Sequence, residues 1–291
     1  MFIRSFTVIF IWLFLLLPLF GEWQERSFDW RKSRPVAPGI LRAEWAFEKP
    51  RLLRIYALRV DLHTPGLRFH VTGKSPQHGQ PMPGEPGFII KTDRQTVKKF
   101  FLDLQKDFPM AAAVNTAPWA PWKKPWNHPH ADRMGALIAN EEIVDLPDGK
   151  RPSFIIDKKG GARMEVLAPE SDTADIHSAV SGFGFVLMNG QARGRNLFLA
   201  PRTGFGLSRD RRYLCILVAD GRQKEYSMGM TEWEVGSFLR YLGAETGINM
   251  DGGGSSTLVV LQDGKARMLN RQPKNSMRTV GASLGISVPL K

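Results

Sequence analysis

The stretch from Thr231 to Val260, TEWEVGSFLRYLGAETGINMDGGGSSTLVV, changes its periodicity twice within thirty residues. Thr231 and Glu234 have the spacing of a capping box, in which the threonine hydroxyl takes the N3 amide and the glutamate reaches back to the N-cap amide. Val235, Phe238, Leu239 and Leu242 then recur at i, i+3, i+4 and i+7, so a helix with one apolar face is predicted to follow Thr231 and to stop at Gly243. AETGINM reads as a buried strand, DGGGSS as a connection, and TLVVLQ as a returning strand that turns at Asp263-Gly264 into KARML. A capped helix feeding strands that come back as hairpins is the grammar of an α+β sheet.

The rest of the chain repeats it. TDRQTVKKFFLDLQKD predicts a second helix, with Thr92 and Gln95 as a capping pair, Val97, Phe100, Phe101 and Leu104 as its buried stripe, and Pro109 as its stop. MAAAVN is a short run of small apolar residues ending at Asn115. RMGALIANEEIV, SFIIDKKGGARMEV and GFGFVLMNGQ read as strand-turn-strand units, LLRIYALRVDL and LRFHV as a hairpin joined by HTPG, and YLCILVADGRQ as a central strand entering an Asp-Gly turn. Many hairpins and two convincing helices predict a single α+β domain, a hairpin-rich mixed sheet with two principal helices, rather than regular βαβ winding. The expected divisions are residues 1–21 as a leader, 22–39 as a polar, proline-containing tether, and 40–291 as the folded domain.

The leader has one arginine, Arg4, before an apolar segment from Phe6 to Phe20, close to the length of a secretory core and short for a membrane span. It implies export to a periplasmic or extracellular site, as a cleaved signal peptide or as a retained anchor that associates the chain with the membrane. The single cysteine, Cys215, excludes an intrachain disulfide and reads as a buried thiol. A net charge of +12 spread over the whole sequence fits anionic envelope polymers, lipids or phosphate-bearing substrates. No nucleic-acid-binding motif stands out, and nucleic acid is not an expected partner.

The triple glycine, Gly252 to Gly254, lacks the Gly-Lys-Ser/Thr ending of a phosphate loop, and the third glycine of a dinucleotide fingerprint would fall on Thr257. Two readings stay open: a turn that needs positive φ, or a main chain left bare so that a ligand can approach it. Asp251 at its head either closes an Asx-turn or sits half-desolvated at a strand mouth, where a raised pKa suits acid or base work.

The series VNTAPW, AVSGFGFVLMNGQ, PRTGFGLS, LVADGRQKEYSMGMTEWEVGSFLRYLGAETGINMDGGGSSTLVV and RTVGASLGISV resembles, in this order, the phosphodiester glycosidase family over roughly Leu52 to Val288. The resemblance implies hydrolysis of a sugar-1-phosphodiester at strand ends and glycine loops; from the residues, no cofactor or metal is expected. It places Asp251, Arg202 and Asn115 as catalytic candidates, and Thr203, Asp220, Gly252, Gly253 and Gly254 on the substrate. Ser255, the first hydroxyl after the glycines, goes with them. Where family members commonly have Asn-Gly-Gly, this chain has Asn115-Thr116-Ala117-Pro118-Trp119, a bulkier wall that puts Trp119 beside the substrate.

The chemistry asks for the same residue types. Phosphate needs a cation or amide donors, and the anomeric carbon a carboxyl group. Arg202 either grips that phosphate with its fork or is a solvated surface arginine. Asp220, heading Asp-Gly, also reads as a plain turn residue. Trp119, Trp122 and Trp126 among prolines form either a sugar-stacking lid or a packed covering loop. His128 and His130 lack the acid cluster expected of a metal site. The expected substrate is a phosphosugar or anionic glycan. The competing reading is a non-catalytic glycan-binding or exopolysaccharide assembly protein, and a metal-dependent phosphoesterase is disfavoured by the absence of a carboxylate and histidine cluster in the sequence.

Overall fold

A computed structural model describes residues 27–122, 128–133, 135–194, 196–273 and 277–289; the expected leader, the start of the tether and Trp126 of the expected lid lie outside them. The capped helix forms as its sequence dictates, over Glu232–Tyr241, with both halves of the Thr231/Glu234 capping box in place and Gly243 at φ +100°. Val235, Phe238, Leu239 and Leu242 are all buried beneath it.

This helix lies on an eight-stranded sheet whose order runs Arg34–Ala37, Ile40–Phe47, Leu53–Asp61, Tyr213–Ala219, Arg202–Leu207, Thr246–Asn249, Gly184–Met188 and Gln191–Ala192. The approach is close because the facing positions are glycine: a Cβ on Gly236 would stand 1.9 Å from the Val186 carbonyl, and one on Gly204 would stand 2.7 Å from Val235 Cγ1. A five-stranded sheet centred on Met110–Asn115 and carrying the other helix, Val97–Leu104, packs against the opposite face of the large sheet. A second five-stranded sheet, built from the predicted 137–145 and 152–166 hairpins around Ile176–Ser181, joins the same core. Pairings between named strands are antiparallel throughout. The architecture is a single-domain-like α+β fold with two α-helices among the described residues.

Three local expectations change. Leu53–Asp61 and Arg68–Val71 do not pair with each other: the turn at Gly66, φ +77°, sends the second strand to the edge of the other sheet, against Ser283–Ser287. The first helix starts four residues late, with the Thr96 hydroxyl as N-cap accepting the Lys99 amide, because Thr92 lies in a short strand, Thr92–Asp93, with its hydroxyl donating to the Gly281 carbonyl. The segment read as a tether is folded from Trp30 onward, since the buried Trp30 indole donates to Leu242 O at the C-terminal end of the long helix and Arg34–Ala37 pairs with the next strand. Cys215 is buried as expected, and burial pushes its thiol up to about 12.

Antiparallel register gathers the chemistry at one place. Gly204 pairs with Asn249 and Gly184 with the same Asn249, so the start of one strand, the end of the next and the start of a third share one sheet end. There they meet the end of Met110–Asn115 and the start of Leu258–Gln262, which are paired through Val114 and Leu258.

Candidate active site

The strand ends enclose a cavity of about 590 Å³ lined by Arg202, Asp251, Gly252 to Gly254 and Ser255, together with Trp119, Trp122, Phe183, Phe198, Arg222, Glu232, Asn249 and Arg278. Residues from both sides of the triple glycine and from both helical and strand termini therefore face one volume.

Asp251 is its buried carboxylate. Its amide donates to Thr116 O at 2.8 Å and its Oδ1 accepts the adjacent Gly252 amide at 2.9 Å, which fixes the side chain against the main chain that follows it. Its Oδ2 is buried with no well-aligned donor among the described residues. Burial pushes the carboxyl up to about 6; Ser255, the Gly252 amide, Arg278 and the Trp119 indole pull the other way without cancelling it. Asp251 thus bonds the amide next to it instead of closing an Asx-turn two residues on, and its desolvated carboxyl has the raised pKa of the other reading.

Asn115 holds this arrangement from below. It is fully buried, donates from Nδ2 to Asp251 O at 2.6 Å, and accepts at Oδ1 from the Thr203 hydroxyl at 2.8 Å and the Thr257 amide at 3.0 Å. One amide side chain ties together the ends of several strands. Asn115 and Thr203 are positioning residues: neither lines the cavity, and the Thr203 hydroxyl, expected to donate to phosphate, is committed to Asn115.

Arg202 does reach the cavity. Its Nε donates to Met230 O and its Nη2 to Phe198 O, both at 3.0 Å, while Nη1 stands 3.6 Å from Glu232 Oε1. It is an anchored, buried cation rather than a solvated surface arginine, and burial holds its pKa below the usual arginine value. Arg278 is likewise lowered, by burial first, with Asp251 opposing the shift.

Asp220 is placed elsewhere. It does not line the cavity; its Oδ1 accepts Asn270 Nδ2 at 3.1 Å and the Arg271 amide at 2.9 Å, and burial pushes it up to about 6. Asn270 in turn accepts the Leu258 amide and donates to Ser256 O, so Asp220 braces the far side of the glycine loop. Trp119 lines the cavity but is 1% exposed, with the Arg94 guanidinium 4.0 Å from its ring centroid, so it cannot offer an open stacking face. Trp122, 54% exposed and edge-on to Phe183 at 5.9 Å, can. His128 and His130 bond to each other's main chain or ring, and His130 Nδ1 pairs with Asp93 at 2.8 Å. Among the described residues no group of three or more His, Cys, Asp or Glu is placed to hold a metal ion.

Sequence reasoning missed Glu232, Arg222, Arg278 and Asn249. Glu232 stands next to the N-cap, a position that ordinarily needs no more explanation than the helix dipole. Its Oε2 accepts the Asn196 amide at 3.1 Å and its Oε1 receives Asn249 Nδ2 at 3.5 Å, which aims it into the cavity beside Arg202. The usable signal was adjacency: Arg222 follows Asp220-Gly221 and Arg278 opens RTVG, both inside runs already singled out.

Two of the three glycines lie under these cations, and the first, Gly252, lies against the Pro201 carbonyl. A Cβ on Gly253 would stand 3.1 Å from Arg222 Nη1, one on Gly254 2.9 Å from Arg278 Cζ, and Gly253 adopts φ +62°. The bare main chain lets guanidinium groups settle onto the loop and also supplies a left-handed turn.

The sequence matches the model of the phosphodiester glycosidase family over residues 111–287, more than half of the chain, and the chain belongs to that family. No functionally curated protein matches the sequence directly. Among solved structures, the zebrafish N-acetylglucosamine-1-phosphodiester alpha-N-acetylglucosaminidase catalytic domain, auto-inhibited by its pro-peptide, is similar with a TM-score of 0.61 at 18% identity, covering 91% of this chain and 87% of that one. A Synechocystis protein of unassigned function is similar with a TM-score of 0.63 at 12% identity, covering 86% of this chain and 62% of that one. A Burkholderia pseudomallei protein described as a candidate exported protein is similar with a TM-score of 0.57 at 14% identity, covering 81% and 74%. At these identities the structural likenesses establish the fold, and the family match carries a glycosidase-type, hydrolase-class function.

Proposed function

We propose that this chain is exported and hydrolyses the glycosidic bond of a sugar-1-phosphodiester belonging to an anionic envelope glycan or exopolysaccharide. The observation that carries the reading is the buried Asp251 carboxylate facing a cavity on which Arg202, Arg222 and Arg278 converge. Those cations outnumber the two cavity carboxylates, Asp251 and Glu232, so the site favours an anion. The apolar Phe6 to Phe20 segment supports export.

The chemistry follows from the leaving group. Breaking the bond between the anomeric carbon and its oxygen releases a phosphomonoester, whose charge is stabilised by guanidinium groups instead of by a proton from a strong general acid. Asp251, ionised above about pH 6, accepts the proton of the attacking water or stabilises the oxocarbenium-like centre. Glu232 keeps Arg202 oriented and supplies the second carboxylate. The acceptors Asp251 Oδ2 and Asn249 Oδ1, buried without a well-aligned donor among the described residues, suit sugar hydroxyls or that water.

Turnover of a synthetic sugar-1-phosphodiester in ¹⁸O-labelled water tests this. The label is expected in the free sugar, with an unlabelled phosphomonoester as the other product. Label in the phosphate, or no turnover, refutes glycosidic cleavage.

A further inference from the structure

Of the eleven exposed large apolar side chains among the described residues, six belong to the cavity lining or to the segments beside it, while Ile89, Leu102, Ile143, Leu146 and Val166 lie elsewhere. Trp122, Phe183 and Phe198 line the cavity, Leu197 lies between two lining residues, Met277 adjoins Arg278, and Met228 O accepts the Arg222 amide at 3.2 Å. Phe198 and Leu197 are the most exposed large apolar side chains among the described residues, at 82% and 74%. Aromatic rims stack on sugars, but Leu197, Met228 and Met277 have no π-face, so sugar stacking does not account for the set. Contiguous exposed apolar surface on a folded chain marks a place of contact.

The charge around this rim is complementary to one kind of surface. Arg222, Lys224 and Arg271 are exposed on the loops that carry Met228 and Met277, with Glu225 as the acidic residue among them. Arg202 binds the Phe198 carbonyl directly, so the apolar tip is mounted on a cation of the phosphate site. Apolar side chains flanked by Arg and Lys are what an anionic bilayer interface attracts, through burial below the headgroups and attraction to them.

We propose that the mouth of the cavity seats on an anionic bilayer and that the sugar-1-phosphodiester it takes carries a lipid alcohol on its second ester. This rests on the hydrolytic reading above for its substrate, and on the rim alone for the bilayer. The sugar and phosphate enter the cavity, the scissile bond lies at Asp251, and the lipid chain leaves along Leu197 and Phe198.

The experiment uses the full chain and its L197S/M277S variant, neither residue being part of the cavity lining. Two esters of one sugar 1-phosphate are compared: the methyl ester in solution, and the hexadecyl ester in vesicles of phosphatidylglycerol and phosphatidylcholine. The parent is expected to show a kcat/KM about tenfold higher on the vesicle-borne ester, an advantage the variant loses while keeping the parental rate on the methyl ester. A variant equal to the parent on vesicles, or a parent that prefers the methyl ester, overturns the proposal. If neither ester is cleaved, the hydrolytic reading fails, and co-sedimentation then decides the rim by itself. Weaker sedimentation of the variant with anionic vesicles supports bilayer seating; equal sedimentation overturns it, the N-terminal segment being common to both proteins.

Discussion

Asp251→Asn separates the site's chemistry from its cost to the fold. The carboxyl is pushed from 3.8 to about 6 by burial. The folded state therefore holds the proton more tightly than the unfolded chain. Stability is fully present below the unfolded value, falls as pH rises between the two, and stays reduced above about 6. A shift of roughly two units at about 1.4 kcal/mol each puts the cost of the ionised form at about 3 kcal/mol at pH 8. Asparagine keeps the oxygen that accepts the Gly252 amide and removes the charge. Asp251→Asn is thus expected to be more stable than the parent at pH 8 by up to about 3 kcal/mol, or about 5 °C in melting temperature for a domain of this size. That gap closes toward pH 4. Activity moves oppositely, with kcat reduced on the order of 10²-fold or more. Calorimetry of both proteins at pH 4 and pH 8, with rates on a sugar-1-phosphodiester, makes the comparison. A variant less stable than the parent at both values, or a gap independent of pH, refutes the assignment of a charge-strained carboxylate.

Arg202→Lys keeps the charge but cannot serve Met230 O, Phe198 O and Glu232 at once, and kcat/KM is expected to fall about tenfold or more; parental kinetics would contradict the anchored fork. Gly253→Ala forces a side chain into φ +62° against Arg222, so a stability loss of about 1 kcal/mol with a raised KM is expected, and an unchanged KM would remove Arg222 from substrate binding. Gly236→Ala, whose Cβ would meet Val186 O beneath the helix and away from the cavity, is expected to unfold at markedly lower denaturant concentration with kcat per folded molecule intact. Asp220→Ala strips the acceptor from Asn270 and Arg271 and is expected to cost about 3 kcal/mol, read from the denaturant midpoint; a loss confined to kcat would return Asp220 to the substrate.

What could be read from the chain was whatever a local rule decides. The Thr231 capping box, the Val235 to Leu242 stripe and the hairpins at Asn140-Glu141 and Asn189-Gly190 each follow from spacing within a few residues, and each appears where its pattern stands. Thr92 shows the limit. As an N-cap candidate it satisfied the local rule, yet its hydroxyl reaches Gly281, nearly two hundred residues away, and the cap passes to Thr96. Trp30 was read as part of a tether for the same reason, its partner being Leu242.

The site obeys this division residue by residue. Asp251 was legible because its motif is contiguous and its burial follows from the strand before it. Asn115 was legible only through the resemblance, and its work, bonding Asp251, Thr203 and Thr257, exists only once two sheets have met. Arg222 and Arg278 carry no local mark, because an arginine after a glycine or before a threonine is ordinary surface chemistry until a loop without side chains lies under it. The glycine run therefore has to be read from both directions: its cost in chain entropy is offset where guanidinium groups rest on the bare main chain, and those groups give a cavity floored by a carboxylate its surplus of positive charge.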